Sequence, residues 1–446
     1  MSEKVWETYR LETLDRLVFV GTSDLSGILR GKSFPLSEWD KRVRCGLGWT
    51  PTNVQITCFD TLSKSQFGSF GDLALVPDPT MRITLDRSDN VFDFVLGDIC
   101  NLDGTPWSYC TRSLARRAIE ALYRTCGAKP FAAFEHEFQI SNMSPRTGDS
   151  FGLKGFRDAK EWSGDFMAAL AQSGCLPDSF MKEYGPSQYE VTVKPAIGLT
   201  APDHAVILRA LAHDVIGSHG AIPSFSPILH PDNVGNGVHI HFSFIDNMGV
   251  PLAYDEDNPH GMSELTRHFI GGILRYLDQI LALLAPSEIS YLRLTPHRWS
   301  AAYNNLGYRD REASVRICPV SKLSHKEVSK QFNFEVRAVD GAASPYLAYA
   351  ALVFAGTQGV RDRIEPPPPT EQDLSLLSEE DLAASNFKRL PQSLTEALGC
   401  LGGSRAVRDW FGDNFVDAYI AHKRGELEVL SGLDWAEKCT RYKDVY

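Results

Sequence analysis

Residues 131–140 read FAAFEHEFQI, which has the pattern of a half-buried β-strand that carries two carboxylates. Successive side chains of a strand point to opposite faces, so Glu135 and Glu137 share one face, roughly 7 Å apart. The opposite face carries residues that suit burial: Phe134, His136, Phe138 and Ile140. Burying two like charges together is costly unless a cation neutralises them. This stretch therefore indicates a cation site on one face of a sheet.

The composition is that of an ordinary globular protein. The chain has 446 residues, of which 43% are hydrophobic and 23% charged, and this length allows two domains with a large core. The formal net charge of −11 argues against nucleic acid as a partner, because proteins that bind nucleic acid present basic surfaces.

The cysteines and the apolar segments bear on the cellular setting. The 9 cysteines are irregularly spaced and include no CxxC pair, so neither a disulfide framework nor a zinc site is expected. The N-terminus lacks the basic-then-apolar pattern of a signal peptide, and the apolar stretch at 280–285 is too short to span a bilayer. We therefore expect a soluble, cytoplasmic protein with no membrane partner.

The chain divides into two predicted domains. Up to about residue 105, apolar runs end at Gly, Pro, Asp or Asn, which is typical of short strands. A helix is predicted over 111–127, with Thr111 or Ser113 as its N-cap. We place the boundary before this helix and expect an N-terminal domain of residues 1–105 and a second domain of residues 106–446.

Strands alternate with helices in the second predicted domain. Helices are expected after Asp203, after Ser263 and over 346–356, and the proline run at 366–369 predicts a loop.

Three further segments repeat the placement of polar pairs on one face of an apolar strand. They are 183–193 with Glu183 and Glu190, 235–244 with His239 and His241, and 333–340 with Glu335 and Arg337. One curved sheet would bring these faces to a shared cleft. Any one pair alone is more often a solvated face, but together they form an oxygen-rich set that suits Mg²⁺ or Mn²⁺ rather than zinc. Two such ions beside arginines are what phosphoryl transfer from a polyphosphate requires.

These motifs, together with SYLRLTP at 290–296 and REASVRICP at 311–319, resemble in order the motif series of the glutamine synthetase family. The resemblance covers nearly the whole chain. It implies an α+β fold, in which an N-terminal β-grasp domain precedes a catalytic domain with a curved antiparallel sheet flanked by helices. It also implies a homo-oligomer of stacked rings with active sites between neighbouring subunits. A dodecamer is expected, and a decamer is the alternative.

The resemblance implies two or three Mg²⁺ or Mn²⁺ ions and a set of ligands for two of them. One ion would be bound by Glu137, Glu183 and Glu190. The second, which also holds the phosphates of ATP, would be bound by Glu135, His239 and Glu335.

The remaining motif residues match positions that bind the two substrates in the family. His241 and Ser243 match contacts to ATP, the co-substrate, and Arg311 and Arg316 match arginines that stabilise its transferred phosphate. Arg293 and Arg337, with Gly235 and Gly237, match residues that bind L-glutamate. The implied catalytic residues are Arg293, Arg311 and Arg316. The implied reaction forms γ-glutamyl phosphate, which an amine then attacks to give an amide.

The sequence departs from ammonia-using members at both acids of the ammonium site. The N-terminal segment 45–55 reads CGLGWTPTNVQ, without an acid, and the flap segment 294–302 reads LTPHRWSAA, with Trp299 at or near the position of a glutamate. An alkylammonium group, with a pKa near about 10.4, needs a base, whereas an arylamine is neutral at pH 7. An apolar wall of Trp299 and Trp49 therefore favours an organic amine with a hydrophobic or aromatic body. We predict an ATP-dependent glutamate–amine ligase of the γ-glutamylamide synthetase branch.

Other interpretations remain open at this point. In one interpretation, Trp299 only packs the flap. In another, Asp60 or Asp72 supplies the missing acid, and the protein is a glutamine synthetase that uses ammonia. A non-catalytic structural or regulatory member is a third interpretation, although such a protein has no need of all six candidate metal ligands. Asn333 and Val234 replace an Arg and an Asn found in many relatives, which we expect to reshape the ATP or glutamate contacts.

Overall fold

The structure is a computed structural model. It describes residues 16–446 apart from positions 65, 88–89, 145, 322, 324–326 and 385–386. Residues 1–15, which begin the predicted N-terminal domain, lie outside the described residues.

The N-terminal part of the chain folds into a five-stranded sheet with one short helix. Its elements are β1 (Leu17–Ser23), β2 (Leu29–Pro35), α1 (Trp39–Cys45), β3 (Leu47–Trp49), β4 (Leu73–Arg87) and β5 (Asn90–Cys100). The strand order is β2-β1-β5-β4-β3, in which β1 and β5 run parallel and the other neighbours run antiparallel. Helix α1 packs on β4, with the guanidinium of Arg82 4.3 Å from the ring of Trp39. This mixed sheet with a helix across it is the β-grasp arrangement that the resemblance implied.

The helix that follows the first sheet lies where the sequence predicts it. Helix α2 (Thr111–Cys126) buries Leu114, Ala118 and Leu122, and ends at Gly127, whose φ of +73° suits a residue without a side chain. The predicted cap is wrong, because Cys110 is the N-cap and no side chain caps the helix. The hydroxyl of Thr111 instead donates to the carbonyl of Ser23 in β1, and so fastens the helix to the first sheet.

A nine-stranded sheet forms the centre of the second part. Its strands are β6 (Lys129–Ile140), β7 (Pro177–Lys182), β8 (Gln188–Val193), β9 (Ala196–Ile197), β10 (Pro223–Ser224), β11 (Val238–Ile245), β12 (Tyr303–Tyr308), β13 (Ala313–Ile317) and β14 (Phe334–Val336). The order is β12-β13-β14-β11-β6-β8-β7, and β9 and β10 pair with β6.

The four segments with polar pairs therefore lie on or beside adjacent strands of one curved sheet, as predicted. The strand pairs of this sheet are antiparallel except β12 and β13, which run parallel at the edge, where β12 also bridges to Thr370 and Arg389.

The second part of the chain also forms helices, some of which pack on the apolar face of this sheet. They are α3 (Leu153–Asp158), α4 (Ser163–Gln172), α5 (Thr200–Leu211), α6 (Glu264–Leu284), α7 (Ser290–Arg293), α8 (Pro345–Asp362), α9 (Glu379–Ala384), α10 (Leu394–Gly403), α11 (Arg405–Phe411), α12 (Asp413–Val429) and α13 (Trp435–Lys443). Phe242 of β11 stacks on Tyr349 of α8, with ring centroids 5.4 Å apart. The side chain of Ser263 accepts from the N–H of Thr266 and caps α6. Among the described helices, none has both the length and the apolarity needed to cross a bilayer.

Candidate active site

Strand register brings the predicted metal ligands together on the open face of the large sheet. His239 of β11 lies opposite Glu135 of β6, and Glu137 of β6 lies opposite Glu190 of β8. Glu335 of β14 lies opposite His241 of β11. Because side chains alternate along a strand, these pairs point to the same face, and the sheet presents a cluster of carboxylates and imidazoles.

Glu135, His239 and Glu335 form the tighter half of this cluster. One ligand atom from each lies within 4.8 Å of the others, and Glu135 Oε2 is 3.2 Å from His239 Nδ1. Glu335 Oε1 accepts from the guanidinium groups of Arg316 at 2.9 Å and Arg337 at 2.8 Å. Burial favours the neutral acid, but Arg337 and His241 outweigh it and hold the pKa of Glu335 well below its usual range.

His241, predicted to contact ATP, lies within hydrogen-bond distance of two of the predicted metal ligands. Its Nε2 atom is 3.1 Å from Glu135 Oε1 and 3.0 Å from Glu335 Oε2, and its Nδ1 atom is 2.9 Å from Asn333 Oδ1. Burial alone would lower the pKa of His241, but the two carboxylates raise it well above its usual value. Asn333, singled out as a departure, thus orients this imidazole. Ser243 follows on the same face and is partly exposed.

Glu137, Glu183 and Glu190 form a looser second half of the cluster, where negative charge is poorly compensated. Among the described residues, the ligand atoms of these three do not come within 4.8 Å of one another as those of the first three do. Burial raises the pKa of Glu137 to about 7, although a hydrogen bond from the Gly237 N–H at 2.7 Å acts to lower it. Burial, with the charges of Glu135 and Glu137, also raises the pKa of Glu190, and burial raises that of Glu183. Buried carboxylates that resist ionisation are a fitting donor set for a divalent cation, whose charge would favour their ionised form.

The arginines of the site carry hydrogen-bond donors that nothing in the described chain satisfies. Arg293 is 2% exposed and donates through Nη2 to the carbonyl of Arg337 at 3.1 Å. Three buried guanidinium atoms lack a hydrogen-bond partner among the described residues: Arg293 Nη1, Arg316 Nε and Arg337 Nε. Buried donors are almost always paired, so these atoms fit a bound anion. Arg311 is exposed in the turn between β12 and β13, and its charge acts on Glu183.

The glycine loop and Arg293 are in direct contact. A Cβ atom at Gly235 would lie 2.7 Å from Arg293 Cγ, and one at Gly237 would lie 2.6 Å from Arg293 Nη2. Only residues without a side chain leave room for this guanidinium. The structure thus brings together the four residues predicted to bind glutamate, since Arg337 is the neighbour of Arg293.

The two tryptophans predicted to form the amine pocket lie apart within the chain. Trp299 is 61% exposed and lines a surface cavity of about 390 Å³ together with Tyr308 and Arg311. Trp49 ends β3, is buried, and borders an interior cavity of the N-terminal sheet beside Trp107. A single chain therefore does not unite them.

Two further residues of the site escape the sequence analysis. Gln188 donates to the carbonyl of Gly235 at 2.9 Å and lies 3.4 Å from Glu137 Oε2, so it joins two of the predicted motifs. Its position two residues before Glu190, on the same strand face, is the signal that would have found it. Glu312 accepts hydrogen bonds from the backbone of the segment that carries Trp299, and no pattern in the sequence marks that contact.

Comparisons with known proteins show the family and the fold to which the chain is similar. The glutamine synthetase catalytic domain matches residues 108–434, and a glutamine synthetase N-terminal domain matches residues 1–107. A γ-glutamylpolyamine synthetase of Streptomyces coelicolor is 30% identical over 92% of this chain and 89% of its own length. A glutamine synthetase of Pyrococcus woesei is 28% identical over 96% of this chain and 93% of its own length. A crystal structure of a novel glutamine synthase homolog superposes with a TM-score of 0.88 at 39% identity, covering 97% of this chain and 99% of that one.

Proposed function

This chain belongs to the glutamine synthetase family of ATP-dependent ligases, and on that premise we propose that it joins the γ-carboxylate of L-glutamate to an organic amine. Family members use glutamate, ATP and either an amine or ammonia, together with divalent metal ions. The proposal concerns the amine and the residues that act on each substrate.

The observation that carries the proposal is the exposed ring of Trp299, at or near the position of the flap glutamate of ammonia-using members. Acids line the same cavity, namely Asp310, Glu312, Glu371 and Asp373, so it is the ring, and not a lack of acids, that favours an organic amine. An aromatic side chain at the mouth of the cavity beside Arg311 offers apolar contact to the body of an organic amine. It offers nothing that deprotonates an ammonium ion. The likeness to a γ-glutamylpolyamine synthetase supports an organic amine as the nucleophile.

Two divalent ions are proposed. One would be bound by Glu137, Glu183 and Glu190, and the second by Glu135, His239 and Glu335. This donor set does not require a third ion. Mg²⁺ and Mn²⁺ both suit these oxygen-rich ligands. When bound, such ions neutralise charge on the phosphates of ATP.

The arginines are proposed to do the rest of the binding and positioning. Arg293 and Arg337, with Gly235 and Gly237, would hold the carboxylates of glutamate through their unpaired donors. Arg311 and Arg316 would stabilise the γ-phosphate of ATP while the γ-carboxylate attacks it, which gives γ-glutamyl phosphate and ADP. His241 and Ser243 would contact ATP. A neutral amine then attacks the carbonyl carbon of the acyl phosphate, the C–O bond to phosphate breaks, and the proton lost by the nitrogen leaves with the phosphate.

The proposed oligomer explains why the two tryptophans are apart within one chain. In a dodecamer of stacked rings, the N-terminal domain (residues 1–105) of one subunit would close the catalytic domain (residues 106–446) of its neighbour. Trp49 of the first subunit would then approach Trp299 of the neighbour, once its buried ring turns outward.

Ammonia use is the second candidate function, and the likeness to the Pyrococcus woesei glutamine synthetase favours it. It requires another acid, and Asp60 and Asp72 are exposed in the N-terminal domain. Asp60 is engaged by Arg30 Nη1 at 3.2 Å, which competes with that role.

The test is ADP release from the purified protein with ATP, Mg²⁺ and glutamate across ammonium, alkylamines, amino alcohols, polyamines and anilines. We expect turnover with an organic amine at least about tenfold above that with ammonium. Trp299→Glu should lower use of the organic amine and raise use of ammonium, whereas Asp60→Asn and Asp72→Asn should change neither. Preference of the wild-type protein for ammonium would refute the proposal, and turnover with none of these amines would favour a non-catalytic role.

A further inference from the structure

Residues 297–300 of the flap are held by the carboxylate of Glu312, a residue to which the sequence analysis assigned no role. Glu312 directly precedes β13, and its side chain reaches back to the flap. Glu312 Oε2 accepts from the N–H of His297 at 3.1 Å, and Oε1 accepts from the N–H of Trp299 at 2.9 Å. Both carboxylate oxygens are thus committed to backbone groups of the flap.

The two residues that donate to Glu312 have unfavourable backbone conformations. His297 has a φ of +61° and Trp299 a φ of +52°. The left-handed region is disfavoured for residues with a side chain, and most of all for bulky ones. Such a turn persists only when its surroundings hold it in place, and Glu312 bonds to these two positions.

The other contacts of the flap lead to the glutamate side of the site. The carbonyl of Trp299 accepts from Arg337 Nη2 at 3.2 Å, and the hydroxyl of Ser300 donates to the carbonyl of Arg293. The guanidinium of Arg298 donates to the carbonyls of Pro231 at 2.8 Å and Asn233 at 2.5 Å. Glu312 instead lines the cavity into which the ring of Trp299 faces.

We propose that Glu312 is a positioning residue that selects the amine by clamping the flap, so that the ring of Trp299 stands at the mouth of the cavity beside Arg311. The inference deepens the proposed function and rests on it. The competing role for Glu312 is that of a substitute acid that binds ammonium directly. Its bonds to two backbone N–H groups and to the Ser375 hydroxyl argue against that role, because they occupy three of the roughly four acceptor positions of the carboxylate.

The test compares four variants with the wild-type oligomer: Glu312→Ala, Trp299→Ala, the double variant of these two, and Ser375→Ala. Ser375 is the matched control, because its hydroxyl lies 3.2 Å from Glu312 Oε2 and its removal leaves both flap bonds in place. Glu312→Gln, which keeps one acceptor oxygen, serves as a second variant should the alanine variant fail to assemble. Circular dichroism and oligomer mass establish that each variant is folded.

The first readout is the rate at which trypsin cleaves after Arg298, measured by mass spectrometry of the fragments. Loss of the clamp should expose this bond and accelerate cleavage by about tenfold in Glu312→Ala, with Glu312→Gln between it and wild type and Ser375→Ala unchanged. Equal cleavage rates in Glu312→Ala and Ser375→Ala would overturn the clamp. This readout requires no turnover, so it is independent of which amine the protein uses.

The second readout is the KM of each substrate. Glu312→Ala should raise the KM of the organic amine by about tenfold while the KM values of ATP and glutamate change by less than about twofold. The double variant should be no worse than Trp299→Ala, because Glu312 acts through Trp299. Additive losses, or a loss confined to ammonium, would show that Glu312 contacts the amine directly and would overturn the positioning role. A wild-type preference for ammonium would instead refute the proposed function and leave the proteolysis result unaffected.

Discussion

The metal-ligand side and the flap side of the active site are built in different ways. Glu335 and His239 lie on neighbouring parts of a paired sheet, and are 1% and 5% exposed. Trp299 stands on a four-residue turn, is 61% exposed and depends on a few hydrogen bonds for its position. A side chain on a paired strand cannot move without disturbing the sheet, whereas a loop residue can change at little cost to the fold. Under the proposed function, the sheet therefore holds the residues that bind metal and phosphate, and the flap selects the amine.

The largest effect that would test this contrast is expected from Glu335→Ala. The substitution leaves Arg316, Arg337 and His241 buried without their shared counter-charge, which should lower the free energy of unfolding by about 3–5 kcal/mol. Turnover should fall by at least about 100-fold. Urea denaturation and ADP release measure the two quantities.

Trp299→Ala is the matched comparison on the flap. Because the ring is largely exposed, we expect its free energy of unfolding to stay within about 0.5 kcal/mol of wild type, although its use of amines changes. If Glu335→Ala and Trp299→Ala lower the free energy of unfolding equally, the contrast between residues held by the sheet and residues held by the flap is wrong.

An intermediate effect is expected for Mg²⁺ on thermal stability at different pH values. The folded-state pKa of Glu137, about 7, lies above its unfolded value, and that of Glu190 is raised as well. These two groups therefore favour the metal-free fold fully below about pH 4, and progressively less as pH rises through about 7 for Glu137 and about 9 for Glu190. Mg²⁺ competes with protons for the same oxygens. The increase in Tm caused by Mg²⁺ should be larger at pH 8 than at pH 6, by roughly 2 °C or more.

Differential scanning fluorimetry with and without Mg²⁺ measures this difference. Glu137→Gln removes one of the titrating groups and should reduce the pH dependence. A Mg²⁺ effect on Tm that is equal at the two pH values in the wild-type protein would mean that Glu137 and Glu190 do not bind the ion.

The smallest effect is expected from Arg298→Ala, which removes the bonds between the flap and the loop at 231–233. The free energy of unfolding should fall by less than about 1 kcal/mol, because Glu312 and Arg337 still hold the turn. The KM of the amine should rise by about two- to fivefold. Lys154→Ala provides a surface control, because this exposed side chain donates to the carbonyl of Thr147 and not to the flap. A KM for glutamate that rises as much as that for the amine would show that the flap also shapes the glutamate side.

Much of the fold and of the cluster could be predicted because the pattern on each strand is local. Polar residues at i and i+2 amid apolar ones predicted the shared faces of Glu135 with Glu137 and His239 with His241, and the strands pair as that pattern requires. The helix cap was wrong, since Cys110 rather than Thr111 precedes the helix, and Thr111 bonds across to β1 instead. Capping propensity depends on a residue and its neighbours in sequence. Here a hydrogen bond to a residue 88 positions away decided the role of the Thr111 hydroxyl.

The sequence by itself determined which residues share a face, and with them the carboxylate-rich character of the site, because alternation along a strand is a property of the backbone. Only the tertiary structure decided which faces meet, that His241 lies between two carboxylates, and that Glu312 holds the flap. Those contacts join segments far apart in sequence and depend on strand order, sheet curvature and the course of a turn. No local periodicity encodes these features.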